Sequence, residues 1–228
     1  AYSSGSWSQE AKIQASDPQA SDYFGVSVSM SGDGTRVIVG AFYEDTGATD
    51  AGAAYIFALS GGSWSQQAKI QASDPEGNDQ FARYVSMNSD GTRVLVGAHK
   101  KDSLAGAAYI FALSSGSWSQ EAKIQASDKQ NNDSFGHGVS MSSDGTRVLV
   151  GAYQEDTGAS DAGSAYIFAY SSGSWSQEAK IQASDLQASD NFGVSVSMSG
   201  DGTRVIVGAW FEDTGASAAG SAYIFALS

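Results

Sequence analysis

An all-β protein built as a four-bladed β-propeller is what this chain predicts, on three observations. The phrase Ser-Trp-Ser-Gln-Glu/Gln-Ala-Lys-Ile-Gln-Ala-Ser-Asp occurs four times, so Trp7, Trp64, Trp118 and Trp175 step by 57, 54 and 57 residues. A fixed period of this size marks stacked supersecondary units, none of which buries its apolar face alone. Each unit also carries an Asp-Gly step between two apolar runs, at Asp33, Asp90, Asp144 and Asp201, the strongest short-range signal of a β-hairpin. Finally, the chain holds 27 glycines and only 2 prolines among many Val, Ile, Phe and Tyr, and no stretch has helical periodicity.

The first unit supplies the elements in order. Phe24 to Met30 alternates with period two, Ser31 to Thr35 turns, and Arg36 to Ala41 returns. The third strand, Ala53 to Leu59, is apolar on both faces and is expected in mid-sheet, covered on both sides. Ser60-Gly61-Gly62 leads into a fourth strand, Trp64 to Ala72, where Trp64, Ala68, Ile70 and Ala72 alternate with polar residues; one face is wet, so this strand is outermost. Four antiparallel strands per unit, four units and no helices read as a propeller at the lower limit of blade number. The chain opens with a lone outer strand, residues 7–15, and closes with a third strand, 222–227, lacking its outer partner. Pairing the two is expected to complete the last blade and close the ring, because it removes two exposed edges. Exchange of the first strand between two chains is the main alternative to a monomer. The whole chain, 1–228, is one domain with repeats at approximately 16–72, 73–126, 127–183 and 184–228 plus 1–15.

With 25 acidic and 12 basic residues the net charge is −13, which argues against nucleic-acid and anionic-lipid partners. There is no cysteine for a disulfide, a thiolate metal site or a thiol nucleophile. No apolar run approaches the ~18 residues of a transmembrane span, so membrane insertion is not expected.

Phe24-Gly25 with Val39-Gly40-Ala41, Phe135-Gly136 with Val150-Gly151-Ala152, and Phe192-Gly193 with Val207-Gly208-Ala209 resemble the FG-GAP repeat. That family is known from integrin α-subunit propellers and from bacterial and protist surface proteins. The resemblance covers essentially the whole chain and implies a propeller with an extracellular or cell-surface binding role. Repeat two departs from it, with Phe81-Ala82-Arg83 for Phe-Gly-Val, and the residue after Gly-Ala is Phe42, His99, Tyr153 or Trp210 where the family has proline. The family's calcium loop would lie in the turn between the first two strands. Here that turn carries one acid per repeat, fewer oxygen ligands than calcium takes.

The opposite set of connections gathers the acids and the variable aromatics. Calcium, if bound, would find carboxylate, hydroxyl and carbonyl oxygens there. The candidates are Asp17, Asp22, Glu44, Asp45 and Asp50; Asp128, Asp133, Glu155, Asp156 and Asp161; and Asp185, Asp190, Glu212 and Asp213. The competing reading is a solvated acidic surface shaped by turn geometry. On the same face Phe42, Tyr43, His99, Tyr153, Trp210 and Phe211 are candidates to stack on a sugar or anchor a protein, and equally candidates to plug the grooves between blades. No serine or carboxylate is placed by sequence to make His99 or His137 a catalytic base. Arg83 and His137 stand where Val26 and Val194 do and are expected at the central channel. The functional expectation is a non-enzymatic recognition or adhesion protein binding a protein or glycan. A multivalent lectin and a self-assembling surface or matrix protein stand beside it.

Overall fold

A computed structural model describes residues 2–3 and 5–227. A short hairpin of β1 (Tyr2–Ser3) and β2 (Ser6–Trp7) comes first. Blade one follows as β3 (Val28–Met30), β4 (Arg36–Ala41), β5 (Ala53–Ser60) and β6 (Ser63–Ile70). Blade two is β7 (Tyr84–Met87), β8 (Arg93–Ala98), β9 (Ala107–Ser114) and β10 (Ser117–Ile124), with a single helical turn, α1 (Lys101–Leu104), in its middle connection. Blade three is β11 (Gly138–Met141), β12 (Arg147–Ala152), β13 (Ser164–Ser171) and β14 (Ser174–Ile181). Blade four has β15 (Phe192–Met198), β16 (Arg204–Ala209) and β17 (Ser221–Ala226). Blades one to three are four-stranded antiparallel meanders; blade four is three-stranded.

The repeat fixes one register. Ile38, Ile56 and Ala68 stand side by side across blade one, as Leu95, Ile110 and Ala122 do in blade two and Leu149, Ile167 and Ala179 in blade three. Each outer strand slips by one residue just before that alanine, leaving Gln67, Glu121 or Glu178 as the extra residue of a bulge. A bulge re-aims the side chain it carries. Here Gln67 and Glu121 accept the indole N–H of the next blade's Trp118 and Trp175 at 3.1 and 3.0 Å.

Adjacent blades bury one flank each. Ile38, Ala54, Ile56 and Ile70 of blade one meet Phe81, Val85, Met87, Val94 and Val96 of blade two, and the two following interfaces repeat this pattern. Inner strands are stitched by serines, with Ser27, Ser29, Ser86 and Ser140 Oγ accepting the backbone N–H of Val85, Met87, Met141 and Met198 at 3.0–3.1 Å. The glycine of each Val-Gly-Ala lets the blades approach, since a Cβ on Gly40, Gly97 or Gly151 would lie 2.0, 2.0 or 1.9 Å from a carbonyl oxygen of the next blade.

Two expectations are corrected. The Asp-Gly hairpin signal, which calls for positive φ at both residues, is met only by the glycine, at +72° for Gly34. Gly34 N–H closes a turn on Ser31 O, and Asp33 Oδ1 accepts from Ser31 Oγ, Thr35 N and Thr35 Oγ1. The carboxylate thus acts as acceptor for a longer loop, which relieves Asp33 of a left-handed backbone.

The second correction concerns ring closure. The ladder expected between residues 7–15 and 222–227 is not formed: β17 pairs only with β16, and residues 8–15 belong to no strand. Those residues lie against blade one instead, with Ile13 and Ala15 packed among Val37, Val39, Tyr55 and Phe57, and Glu10 Oε1 accepting from Trp64 Nε1 at 3.2 Å. The inner strands pack in chain order, β3 on β7, β7 on β11 and β11 on β15. The inner strand of blade one and the far flank of blade four consequently stay bare, with Val28 66% and Met30 56% exposed on one and Ile206 42% and Ile224 72% on the other.

Candidate functional site

The acids expected on the loop face are there, and most of them hold loops in place. Asp22, Asp133 and Asp190 are buried, each accepting the backbone N–H three residues earlier at 2.6–2.8 Å. Asp45 and Asp156 accept from the backbone N–H of Asp50 and Asp161, so Asp50 and Asp161 serve through their main chain. Glu44 and Glu155 are fully buried beneath the face. Glu155 accepts from Thr157 N and Oγ1, from Ser164 Oγ at 2.6 Å and from Lys180 at 3.0 Å. Glu44 accepts from Thr46 and from Lys69 at 2.8 Å, and Glu212 from Thr214 and Ser221. Asp17 and Asp128 take the same lysines at 2.7 Å and the hydroxyls of Tyr55 and Tyr166. Buried charges persist only when paired and hydrogen-bonded in this way.

The electrostatics follow. The Lys69 hydrogen bond holds Asp17 below the usual carboxylate range. Burial works against the Lys69 charge, yet its bonds to Asp17 and Glu44 keep its pKa above the ordinary lysine value. Burial pushes Tyr55, Tyr109 and Tyr166 up. Asp133, desolvated and facing Glu155, is raised to about 6, and Asp190 is raised for the same reasons. Asp185 and Asp213 complete the candidate carboxylates. Among the described residues no three His, Asp or Glu side chains converge as metal ligands would.

Repeat two inverts one buried charge. Lys101 occupies the place of Glu44, Glu155 and Glu212, is 1% exposed, and meets Asp79 at 3.2 Å, Glu76 at 3.3 Å and the carbonyl of Asp74 at 2.6 Å. Its connection is three residues shorter and folds through α1, with Asp102 and Ser103 at positive φ.

The aromatic candidates divide into two groups. Phe42 and His99 are buried between blades, as groove plugs are. Around them runs a chain of stacked rings: Tyr43 on Phe42 (centroids 4.2 Å), Tyr23 on both (5.4 Å), the Arg83 guanidinium over Phe42 (4.9 Å), Tyr84 on His137 (4.6 Å) and His137 on Tyr153 (4.5 Å). Tyr84 OH bonds His137 Nε2 at 2.9 Å, and His99 meets His137 edge-on at 5.4 Å. Burial drives His99 down to about 3 and lowers His137, so both are neutral at physiological pH and act as ring surfaces. Trp210 and Phe211 stack on each other at the far end, 55% and 50% exposed. Asn191 links the two groups, accepting from Trp210 Nε1 at 2.9 Å and donating to Tyr153 O at 3.4 Å. The sequence marked Arg83 and His137 by their departure from valine. It gave no signal for Tyr23, Tyr84 or Asn191, whose partners lie about nineteen to fifty-three residues away in the chain.

A series of stacked antiparallel blades with this signature defines a class of repeat propellers. The FG-GAP repeat matches residues 7–57, 64–111, 118–168 and 175–225, and the chain belongs to that family. No curated protein matches it. Among solved structures it is similar to a putative 6-phosphogluconolactonase from Bacteroides uniformis, with a TM-score of 0.59 and 13% identity over 90% of this chain and 53% of that one. It is also similar to TolB from Acinetobacter baumannii, with a TM-score of 0.49 and 16% identity over 88% of this chain and 40% of that one. The chain thus spans about half the length of these structures or less, and at 13% identity the likeness to the first is one of fold. Among the described residues no helix is long and apolar enough to cross a membrane.

Proposed function

We propose that this is a non-enzymatic recognition or adhesion propeller, extracellular or on a cell surface, that binds a protein or glycan through its loop face. The observation that carries the reading is the continuous run of rings Tyr23, Phe42, Tyr43, Tyr84, His137 and Tyr153, drawn from three repeats and interrupted only by the Arg83 guanidinium. Flat, rigid rings beside hydroxyls and carboxylates give contact area at small entropic cost, and stacking suits both sugar rings and apolar side chains. FG-GAP membership supports a binding role, and propeller loops are where such roles reside.

The test is binding to a glycan array and to a panel of immobilised surface proteins. Tyr43→Ala, Tyr153→Ala and Phe211→Ala should each weaken the captured ligand at least several-fold with unchanged thermal melts. Asp33→Asn, on the opposite face, should leave binding unchanged. Equal binding by all four variants rejects this face, and a large loss of stability at Tyr43 or Tyr153 shows that they are plugs.

A further inference from the structure

Repeat two sets bases into the loop face where its copies have none. Arg83 stands where the other repeats carry Val26, His137 and Val194, and Lys100 where they carry Tyr43, Gln154 and Phe211. We propose that these two cations, placed within the run of rings, make the loop face a site for an acidic sugar, a pyranose whose ring bears a carboxylate. The inference rests on the loop-face reading above and names the ligand class of that same site.

The first observation is an unused guanidinium. Arg83 is half-buried over the Phe42 ring at 4.9 Å and beside Tyr84 at 6.0 Å, and among the described residues its side-chain N–H donors meet no carboxylate or carbonyl. The other arginines have acids: Arg93 and Arg147 pair with Glu121 and Glu178, and Arg36 and Arg204 lie in the field of Asp33 and Asp201. A planar guanidinium steadied by stacking is pre-organised for two parallel hydrogen bonds to a carboxylate. The wider charge agrees. The loop-face stretches of repeat two, 73–83 and 99–106, hold three bases against four acids, whereas those of repeat one, 16–26 and 42–52, hold no base against five acids. An anion is therefore admitted at repeat two and repelled beside it.

The second observation lies under the rings. His99 is 6% exposed, feels the charges of both Arg83 and Lys100, and has a buried Nδ1 without a hydrogen-bond partner. Gln80, whose carbonyl accepts Arg83 N–H, has a buried Oε1 in the same condition. Buried polar atoms left unpaired are costly, and a ligand rich in hydroxyls relieves that cost directly or through the water it fixes.

Peptides also carry carboxylates, but the surroundings favour a sugar. Tyr84, His137 and Tyr153 continue from Arg83 as half-buried faces with centroids 4.6 and 4.5 Å apart, a platform on which a pyranose ring stacks. A peptide backbone finds no open strand to join, since β7 pairs with β8 and packs between β3 and β11.

The repeats supply test variants whose new side chains already stand at equivalent positions: Arg83→Val copies Val26 and Val194, and Lys100→Gln copies Gln154. The probes are the methyl glycosides of glucuronic and galacturonic acid with their neutral glucose and galactose counterparts, titrated into the full chain and followed by NMR. The acids should bind at least about tenfold more tightly than the neutral sugars, and more weakly as salt is raised. Arg83→Val should weaken the acids about tenfold or more with an unchanged melt, and Arg83→Lys should restore only part, because it keeps the charge without the fork. Lys100→Gln should weaken them severalfold. Acidic and neutral sugars bound alike, weakened by Tyr153→Ala and untouched by Arg83→Val, overturn the inference while leaving the loop-face reading in place. Failure of both acids to bind overturns it as well, and the panel of immobilised surface proteins then judges that reading alone. An acidic peptide that needs Arg83 where the acidic sugars do not bind overturns the choice of a sugar.

Discussion

One methyl group at Gly97 should separate two blades. The Cβ of Gly97→Ala would lie 2.0 Å from Gly136 O, where ordinary contact begins at 3.4 Å. The obstacle is backbone and it is pinned: Gly136 N–H bonds Gly151 O at 3.0 Å, Gly136 sits at φ +97°, and Ala82 N–H bonds Gly97 O at 2.9 Å. No rotamer change relieves the clash, so the blades must part, and the cost falls at the upper end of overpacking, about 3 kcal/mol. For a domain of this size that lowers the melting temperature by about 6–12 °C. Gly116→Ala is the comparison. Gly116 has φ +83° and open space around it, so its substitution costs only backbone strain, about 1–2 kcal/mol. Thermal unfolding followed by circular dichroism, at one protein concentration for all variants, reads the difference. A Gly97→Ala melt no lower than that of Gly116→Ala refutes the claim that close blade approach is what the Val-Gly-Ala glycine provides.

Lys101→Ala should destabilise by about 3–5 kcal/mol, because it strands the buried Asp79 carboxylate without its cation, and urea titration with unchanged m-value checks it. Asp133 is held at about 6 by desolvation first and by Glu155, above its unfolded value of 3.8, so its contribution to stability is complete below pH 3.8 and lost as pH rises through about 6. Asp133→Asn keeps an acceptor for Gln130 N–H and should therefore gain about 1–2 kcal/mol at pH 7 and flatten the pH 4–6 part of the stability curve; an unchanged pH profile refutes the assignment.

The repeat made the second, third and fourth strands of the first blade legible to within a residue or two, whereas its first strand, expected over Phe24 to Met30, forms only over Val28–Met30. Arg36 to Ala41 reads from its valines and the bounding Gly-Asp-Gly-Thr, and Ala53 to Leu59 from being apolar on both faces. Period alone was silent on what each loop acid does. Glu44 looks like a surface residue in Tyr-Glu-Asp-Thr-Gly, yet it is fully buried because Lys69 and Gln71, from the next strand but one, reach over to it. That contact crosses twenty-five residues and leaves no local pattern. Lys101 was legible only as a charge reversal among aligned copies; its partners Asp79 and Glu76 come from the loop before β7. The closing ladder was inferred from edges that ought to be paired. The ladder is absent because Ile13 and Ala15 pack on blade one and Glu10 holds Trp64, contacts across about forty to fifty residues that no local pattern announces.

Four copies of one unit act as controls for one another, and they separate what a residue is from what surrounds it. Met30 and Met198 sit in the same eighteen-residue stretch, yet Met198 is 8% exposed and Met30 56%. The difference lies in the neighbour. The same comparison bears on Trp210, whose copies Phe42 and His99 are buried by a following blade while Trp210 has none over it. Its exposure is therefore a property of the bare flank before it is a sign of ligand binding. Tyr43 and Tyr153 differ, because each already has a following blade and still keeps part of its ring in solvent. Recognition by the loop face is accordingly read through Tyr43 and Tyr153, whose alanine variants test it apart from the bare flank.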